Sequence, residues 1–292
     1  MAELQAKTAA KEPKLADPRE ASIDPATQEM IKRAQQLQVE TVFDRAMTMK
    51  PCAIGMQGIC CKNCAMGPCR LPLPKGGITG EDTRKGLCGA TANTICARNF
   101  IRMIAGGAAA HSDHGRSVAE VFRSVARKES HDYAIKDPIK LIDIAPYFGV
   151  ATTVEVDGKT MDRDLDEIAL EVAEAAYAEW GKPEGTIKYI KRAPQPLQEK
   201  WEQEGVLPRN VDREIVEIMH RTHMGVDQDY KNLMKQGTRA ALADGWGGSM
   251  IATDLQDVLF GTPSPLQSEA NLGVMKEDHV NIIVHGHEPV LS

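Results

Sequence analysis

Apolar residues recur at helical spacing in five stretches of the chain and crowd into a strand-like run near its end. Asp24-Pro25 joins a carboxylate suited to a helix N-cap to a proline suited to the first helical position. Met30, Ala34, Leu37 and Thr41 follow at i, i+4, i+7 and i+11, which predicts a helix with that face inward, ended by Pro51. A second helix is predicted from Thr91 to about Arg127, interrupted or closely packed at Gly106-Gly107-Ala108-Ala109-Ala110. A third covers residues 164–180, where Leu165, Ile168, Leu170, Val172 and Ala176 alternate with acids and Gly181-Lys182-Pro183 stops it. Helical periodicity returns over 212–219 and 231–243. Between these stretches, 71–77 is too rich in proline and glycine for regular structure, and 183–210, rich in Pro and Lys, reads as a surface excursion. Gly261-Thr262-Pro263-Ser264-Pro265 breaks the chain. The run Val280-Asn281-Ile282-Ile283-Val284 then reads as a buried parallel strand, with His285-Gly286-His287 at its carboxyl end.

The 292 residues are 42% apolar and 26% charged, ordinary for a globular protein. Only 4% are aromatic while 24 are glycine, which favours helices packed closely on small residues. No run approaches the ~18 apolar residues of a membrane span, and the first residues lack the apolar core of a secretory signal. A cytoplasmic protein without an integral membrane segment is therefore expected. The net charge of −6 comes without a basic block, so no electrostatic footprint for nucleic acid is present. Residues 1–22, a mixture of Lys, Glu, Ala and Pro, read as a mobile tail. A lone strand at the other end has nothing to pair with, which predicts a truncated piece of a larger architecture.

The cysteines change the picture. All seven (Cys52, Cys60, Cys61, Cys64, Cys69, Cys88 and Cys96) fall in one short part of the chain. An odd number without an export signal argues against disulfides, and the clustering points to a soft-metal site. Cys61-x2-Cys64-x4-Cys69 supplies three thiolates from one tight loop, with Gly67-Pro68 turning the backbone, and Cys88 is a fourth. Four thiolates suit a 4Fe-4S cubane. A zinc site usually shows two C-x2-C pairs, and only one is present, so iron–sulfur is preferred. Cys60 adjoins Cys61, and neighbouring side chains diverge, so the two should serve different centres. Cys52-x7-Cys60 is half a ligand set that a two-fold dimer would complete on its axis; alternatively Cys52 is a core thiol and Cys60 a spare. Cys96 reads as a small buried hydrophobe.

These motifs resemble a known family. Cys52-x7-Cys60-Cys61-x2-Cys64-x4-Cys69, Gly86-Leu87-Cys88-Gly89-Ala90-Thr91 and the segment from Gly106-Gly107 through His111-Ser112-Asp113-His114 resemble the anaerobic nickel–iron carbon monoxide dehydrogenases. So do Glu217-Ile218-Met219-His220-Arg221-Thr222, Asp254-Leu255-Gln256-Asp257 with its continuation to Pro263, and His285-Gly286-His287-Glu288-Pro289. The resemblance implies a homodimer whose helical N-terminal domain precedes two Rossmann-like α/β domains. It also implies that Cys61, Cys64, Cys69 and Cys88 hold a relay 4Fe-4S cluster, and that Cys52 and Cys60 supply half of one shared between subunits. His287, or its neighbour His285, would ligate an iron of the catalytic Ni-4Fe-4S cluster, which only the complete enzyme carries. His111 and His114 would lie on the proton path, unless they simply face solvent. The sequence departs further along, where Ser117 and Glu120 stand at positions often histidine in relatives.

A mainly α fold is thus expected: a helical iron–sulfur domain at 23–262 and the first strand of a truncated Rossmann-like α/β domain at 263–292. The function expected is the electron-relay and dimerisation portion of a CO-oxidising enzyme that passes electrons to a ferredoxin-like acceptor. A separate C-terminal complement chain or an acetyl-CoA synthase is a possible partner, since the family's nickel-site cysteines would follow Ser292. The alternatives are a non-catalytic dimeric iron–sulfur electron carrier and, more remotely, a zinc-stabilised helical interaction module.

Overall fold

The computed structural model describes residues 15–265 and 278–282, and these divide into two compact units, one holding 15–53 and the other 54–263. The described residues are mainly helical, as the periodicity predicts.

In the first unit, Asp17 caps a short helix α1 (Pro18–Ala21), so this part of the predicted tail is ordered. Helix α2 (Pro25–Gln36) begins where predicted, the Asp24 carboxylate accepting from the Thr27 N–H at 2.9 Å. Its inward face is not the predicted one. Ile31 is buried, while Met30 and Leu37 are about half exposed. The reason is that the helix stops early: Gln38 adopts φ +58°, and Thr41 is a cap rather than a helical position. Thr41 and Asp44 form a capping box for α3 (Val42–Thr48), and the buried Asp44 carboxylate also accepts from the Ala16 N–H at 2.9 Å.

The second unit is organised around α5 (Ala92–Ala126), a 35-residue helix capped by Thr91 and uninterrupted at Gly106-Gly107, where both glycines are exposed. Around α5 pack α6 (Pro138–Phe148), α7 (Leu165–Gly181), α9 (Val211–Arg221), α10 (Tyr230–Ala243) and α11 (Met250–Phe260), directly or through one another. Phe122, Leu141, Ile144, Phe148, Ile168, Val172, Trp180 and Leu255 fill the centre. Small residues do allow close approach, as composition suggests: a Cβ on Gly115 would lie 2.6 Å from the Trp180 ring.

Three features depart from the sequence reading. Residues 183–210 are anchored: Ile187, Tyr189 and Ile190 bury themselves around a 3-10 turn (Lys188–Arg192), and α8 (Gln195–Gln203) follows. The lysines and prolines there mark only the outer side of the segment. An exposed antiparallel hairpin, β3 (Thr153–Val156) with β4 (Lys159–Asp162), turns at Asp157-Gly158, both with positive φ, the geometry that such a dipeptide favours. Between α10 and α11 a π-helical turn (Asp244–Ser249) keeps the chain helical through a glycine-rich stretch. Of the expected terminal strand, Val280, Asn281 and Ile282 are in no strand and are exposed. Ile283, Val284, His285 and His287 lie outside the described residues.

Candidate functional site

The cysteine segment folds between α4 (Ala53–Met56) and α5. Strands β1 (Cys60–Cys61) and β2 (Cys69–Arg70) pair antiparallel, with Cys61 opposite Cys69. The intervening loop must turn sharply, and Gly67 makes this possible: a Cβ there would lie 2.9 Å from the Cys61 carbonyl oxygen. Cys88 arrives on a second tight turn, closed by the Gly86 N–H to the Ala90 carbonyl (2.8 Å) and the Gly89 N–H to the Gly86 carbonyl (2.9 Å). That turn presses on the first loop, the Leu87 N–H pointing at Cys69 Sγ at 3.4 Å. Asn99 of α5 fastens β1 from the other side, donating to the carbonyls of Gly58 (2.9 Å) and Cys60 (3.0 Å).

Cys61, Cys64, Cys69 and Cys88 therefore line one recess, with walls that include Met66, Leu87, Ile95 and Met224. Counting the solvent at its mouth, the recess holds ≈ 360 Å³. Two donors in its wall are buried without a partner, Asn63 Nδ2 and Arg98 Nε. Arg98 Nη1 lies 3.6 Å from Cys88 Sγ, and Gln228 Nε2 donates to the Cys88 carbonyl at 2.9 Å. Burial pushes the Cys88 thiol up, but the Ala90 N–H, the Arg98 guanidinium and the Gly225 N–H outweigh it and bring its pKa down to about 7.

The donor set fits a cluster better than a single ion. Zinc would draw four sulfurs to about 2.3 Å from one point. Among the described residues no three His, Cys, Asp or Glu side chains converge in this way. A cubane instead keeps its thiolates apart at separate iron corners and offers sulfides to spare N–H donors; four cysteines and two residues with such donors line the recess.

The remaining predicted residues fall elsewhere. Cys60 alternates with Cys61 along β1, is half-buried, and does not line the recess. Cys52 is exposed and belongs to the other unit. Cys96 is half-buried, its thiol 3.5 Å from the Gly58 carbonyl oxygen, in keeping with a packing role. His111 and His114 lie on α5 with Ser117 and Glu120 further along it. His111 is exposed and its Nδ1–H donates to Asp244 Oδ1 at 2.7 Å; His114 is half-buried. Arg98 and Asp244 were not among the residues expected from sequence. Arg98 looks like any polar helix position, and Asp244 is brought to His111 by the π-helical turn. Thirteen residues separate Arg98 from His111, so the histidines stand roughly 20 Å along the helix from the recess.

Known proteins are similar to this chain in sequence and in fold. Residues 59–292 match the sequence model of the Prismane/CO dehydrogenase family. Carbon monoxide dehydrogenase 1 of Methanosarcina mazei is 51% identical over 275 residues, covering 94% of this chain and 42% of that protein. Carbon monoxide dehydrogenase 1 of Carboxydothermus hydrogenoformans is 42% identical over 277 residues, 93% of this chain and 41% of that protein. Among solved structures, the as-isolated, Ni-free carbon monoxide dehydrogenase of Thermococcus sp. AM4 superposes with a TM-score of 0.78 at 47% identity, covering 91% of this chain and 40% of that one. The acetyl-CoA synthase/carbon monoxide dehydrogenase solved with NiZn[Fe4S4] and NiNi[Fe4S4] clusters gives 0.76 at 38%, covering 92% and 39%. The chain spans about two-fifths of the length of these relatives.

Proposed function

Because the chain belongs to the Prismane/CO dehydrogenase family, we propose that it is the N-terminal, electron-relay portion of an anaerobic nickel–iron carbon monoxide dehydrogenase. In the complete enzyme the reaction is CO + H2O → CO2 + 2 H+ + 2 electrons. The observation that carries this reading is the convergence of Cys61, Cys64, Cys69 and Cys88 on one recess whose wall holds unpartnered N–H donors.

These four thiolates would hold a 4Fe-4S cluster, which when bound supplies one-electron storage. Ile95, Met224 and Leu87 contribute apolar atoms to the wall of the recess, and the β1–β2 ladder sets the spacing of two of the thiolates. Cys60, turned away from that recess, would pair with Cys52 in half of a ligand set that a second copy of the chain completes, making the homodimer part of the relay. His111 and His114 would carry protons. Asp244 holds the Nδ1–H tautomer of His111 and leaves Nε2 free to accept and release a proton. His287 would ligate an iron of the Ni-4Fe-4S cluster in the complete enzyme. The electron acceptor would be ferredoxin-like, and thiolate ligands suit a reducing, cytoplasmic setting. Acetyl-CoA synthase is a partner by analogy with the complex among the relatives.

Anaerobically isolated protein should contain iron and acid-labile sulfide in equal amounts and be dimeric. Cys52→Ser should remove the shared centre and leave the spectrum of the other cluster unchanged. With the C-terminal portion of such an enzyme supplied as a second chain, together with nickel, CO-dependent viologen reduction should appear. Zinc without sulfide would overturn the cluster reading. Equal loss of both clusters from Cys52→Ser would overturn the separation of sites.

A further inference from the structure

Arg98 is a buried cation with no carboxylate partner among the described residues. Its side chain is 1% exposed. Among the described residues its bonding partners are the Asp227 carbonyl oxygen, 2.5 Å from Nη2, and Cys88 Sγ, 3.6 Å from Nη1; Nε has none. The other buried charges of this unit are matched. Glu214 lies between Arg209 and Arg239, and Asp254 between Lys140 and Arg192. A buried guanidinium facing a carbonyl dipole and a single sulfur is costly unless further negative charge completes its surroundings. Nη1 faces the Cys88 sulfur, which lines the recess, and Asn63, whose Nδ2 also lacks a partner among the described residues, lines it too.

We propose that Arg98 sets the reduction potential of the cluster held by Cys61, Cys64, Cys69 and Cys88, by fixing a positive charge and N–H donors against its Cys88 corner. This rests on the cluster reading above. Reduction places one electron on the cluster from an external one-electron reductant. No bond to Arg98 forms or breaks, and no proton moves. The added negative charge interacts favourably with a cation that cannot move away, because the Asp227 carbonyl pins its far side. Charge and N–H···S bonds are the means by which proteins raise the potential of such centres, and the burial of Arg98 limits the screening of its charge by water. An arginine suits the task because it stays ionised at every working pH and its planar fork presents separate donors to carbonyl and sulfur.

The test is a redox titration of the full chain, isolated anaerobically and followed by the electron paramagnetic resonance of the reduced cluster. Arg98→Met should keep iron and sulfide and lower the midpoint by at least a tenfold change in the one-electron equilibrium, which corresponds to 59 mV. Arg98→Lys, which keeps a charge but loses the fork, should fall between Met and wild type. If the Met variant fails to assemble its cluster, Arg98→Lys decides: a lowered midpoint supports the proposal, and an unchanged one overturns it. Equal lowering by Met and Lys would also overturn it, because charge would not be the cause. Wild-type protein without iron and sulfide would instead remove the cluster reading itself, so the two failures are distinguishable.

Discussion

The cysteine segment, residues 54–90, and the helical body that follows it are ordered by different forces. The body buries a continuous core from Ala108 to Leu259, drawn from α5, α6, α7, α11 and the 3-10 turn. The segment has two strands of two residues each, and its own apolar cluster is small: Ile59, Cys61, Leu71 and Ala90, extended by Ala92 and Ile95 of α5. The segment therefore draws on far less apolar burial than the body does. Hydrogen bonds from Asn99 and within the Gly86–Ala90 turn fasten part of it, and on the cluster reading proposed above ligation would fix the rest, because thiolates that converge only in the folded state make metal binding and local folding one event. A region can thus be poor in core and still be specified in detail, provided its backbone turns are paid for by a bound cluster.

The sharpest way to break this contrast is to remove one ligand. Cys64→Ser replaces a soft thiolate with a hydroxyl that binds iron weakly, and should abolish the cluster held within the subunit. Amide exchange over residues 59–71 should then rise to the rate of an open loop, while the helical body keeps its urea midpoint. Loss of the body's helicity along with the iron would show that the two regions are not separately supported.

A second test strikes the body through its charges. Glu214 is fully buried and accepts from the Arg209 backbone N–H (3.0 Å), Arg209 Nε (2.9 Å), Arg239 Nε (2.8 Å) and Gln236 Nε2 (2.7 Å). Burial alone would raise its pKa, but the two guanidiniums and the N–H outweigh burial and hold it below the usual carboxylate range. A depressed folded-state pKa gives stability that is full above the unfolded value of about 4.3 and is lost as pH falls through the lower folded value. Glu214→Gln should therefore cost about 3 kcal/mol at neutral pH, by leaving Arg209 and Arg239 short of an anion. It should also flatten the acid limb of the urea midpoint measured below about pH 4. Iron content at neutral pH should not change.

How far the sequence reveals this division depends on where the signal sits. Helix α5 is legible from end to end because Thr91 caps it and its apolar residues keep helical spacing. The grouping of the four cysteines that line the recess is legible because thiolate chemistry constrains spacing directly. The anchored 3-10 turn is not, since Ile187, Tyr189 and Ile190 are surrounded by Lys, Arg and Pro, and composition averages over both sides of the segment. The Asp157-Gly158 hairpin carries a local signal that the exposed, mixed-polarity strands around it conceal. Arg98 is silent for another reason. One-dimensional patterns place a charged residue at the surface, and only the fold reveals that this one lies against a sulfur.

The smallest perturbation sharpens the comparison most, because it removes one methylene from each region. Ile168 is buried in the body's core and Ile59 in the segment's small cluster. Each change to valine deletes the same group, and in a packed site this costs about 0.5–1.5 kcal/mol. If the regions are supported as argued, the two costs appear in different measurements. Ile168→Val should lower the urea midpoint of the helices by that amount and leave the rate of iron release to a chelator unchanged. Ile59→Val should leave the helical midpoint alone and speed iron release severalfold, since about 1 kcal/mol of lost local stability raises the open population of the loops about fivefold. Should Ile59→Val move the helical midpoint as much as Ile168→Val does, the cysteine segment would be an extension of the body's core, with the cluster added to a fold already complete.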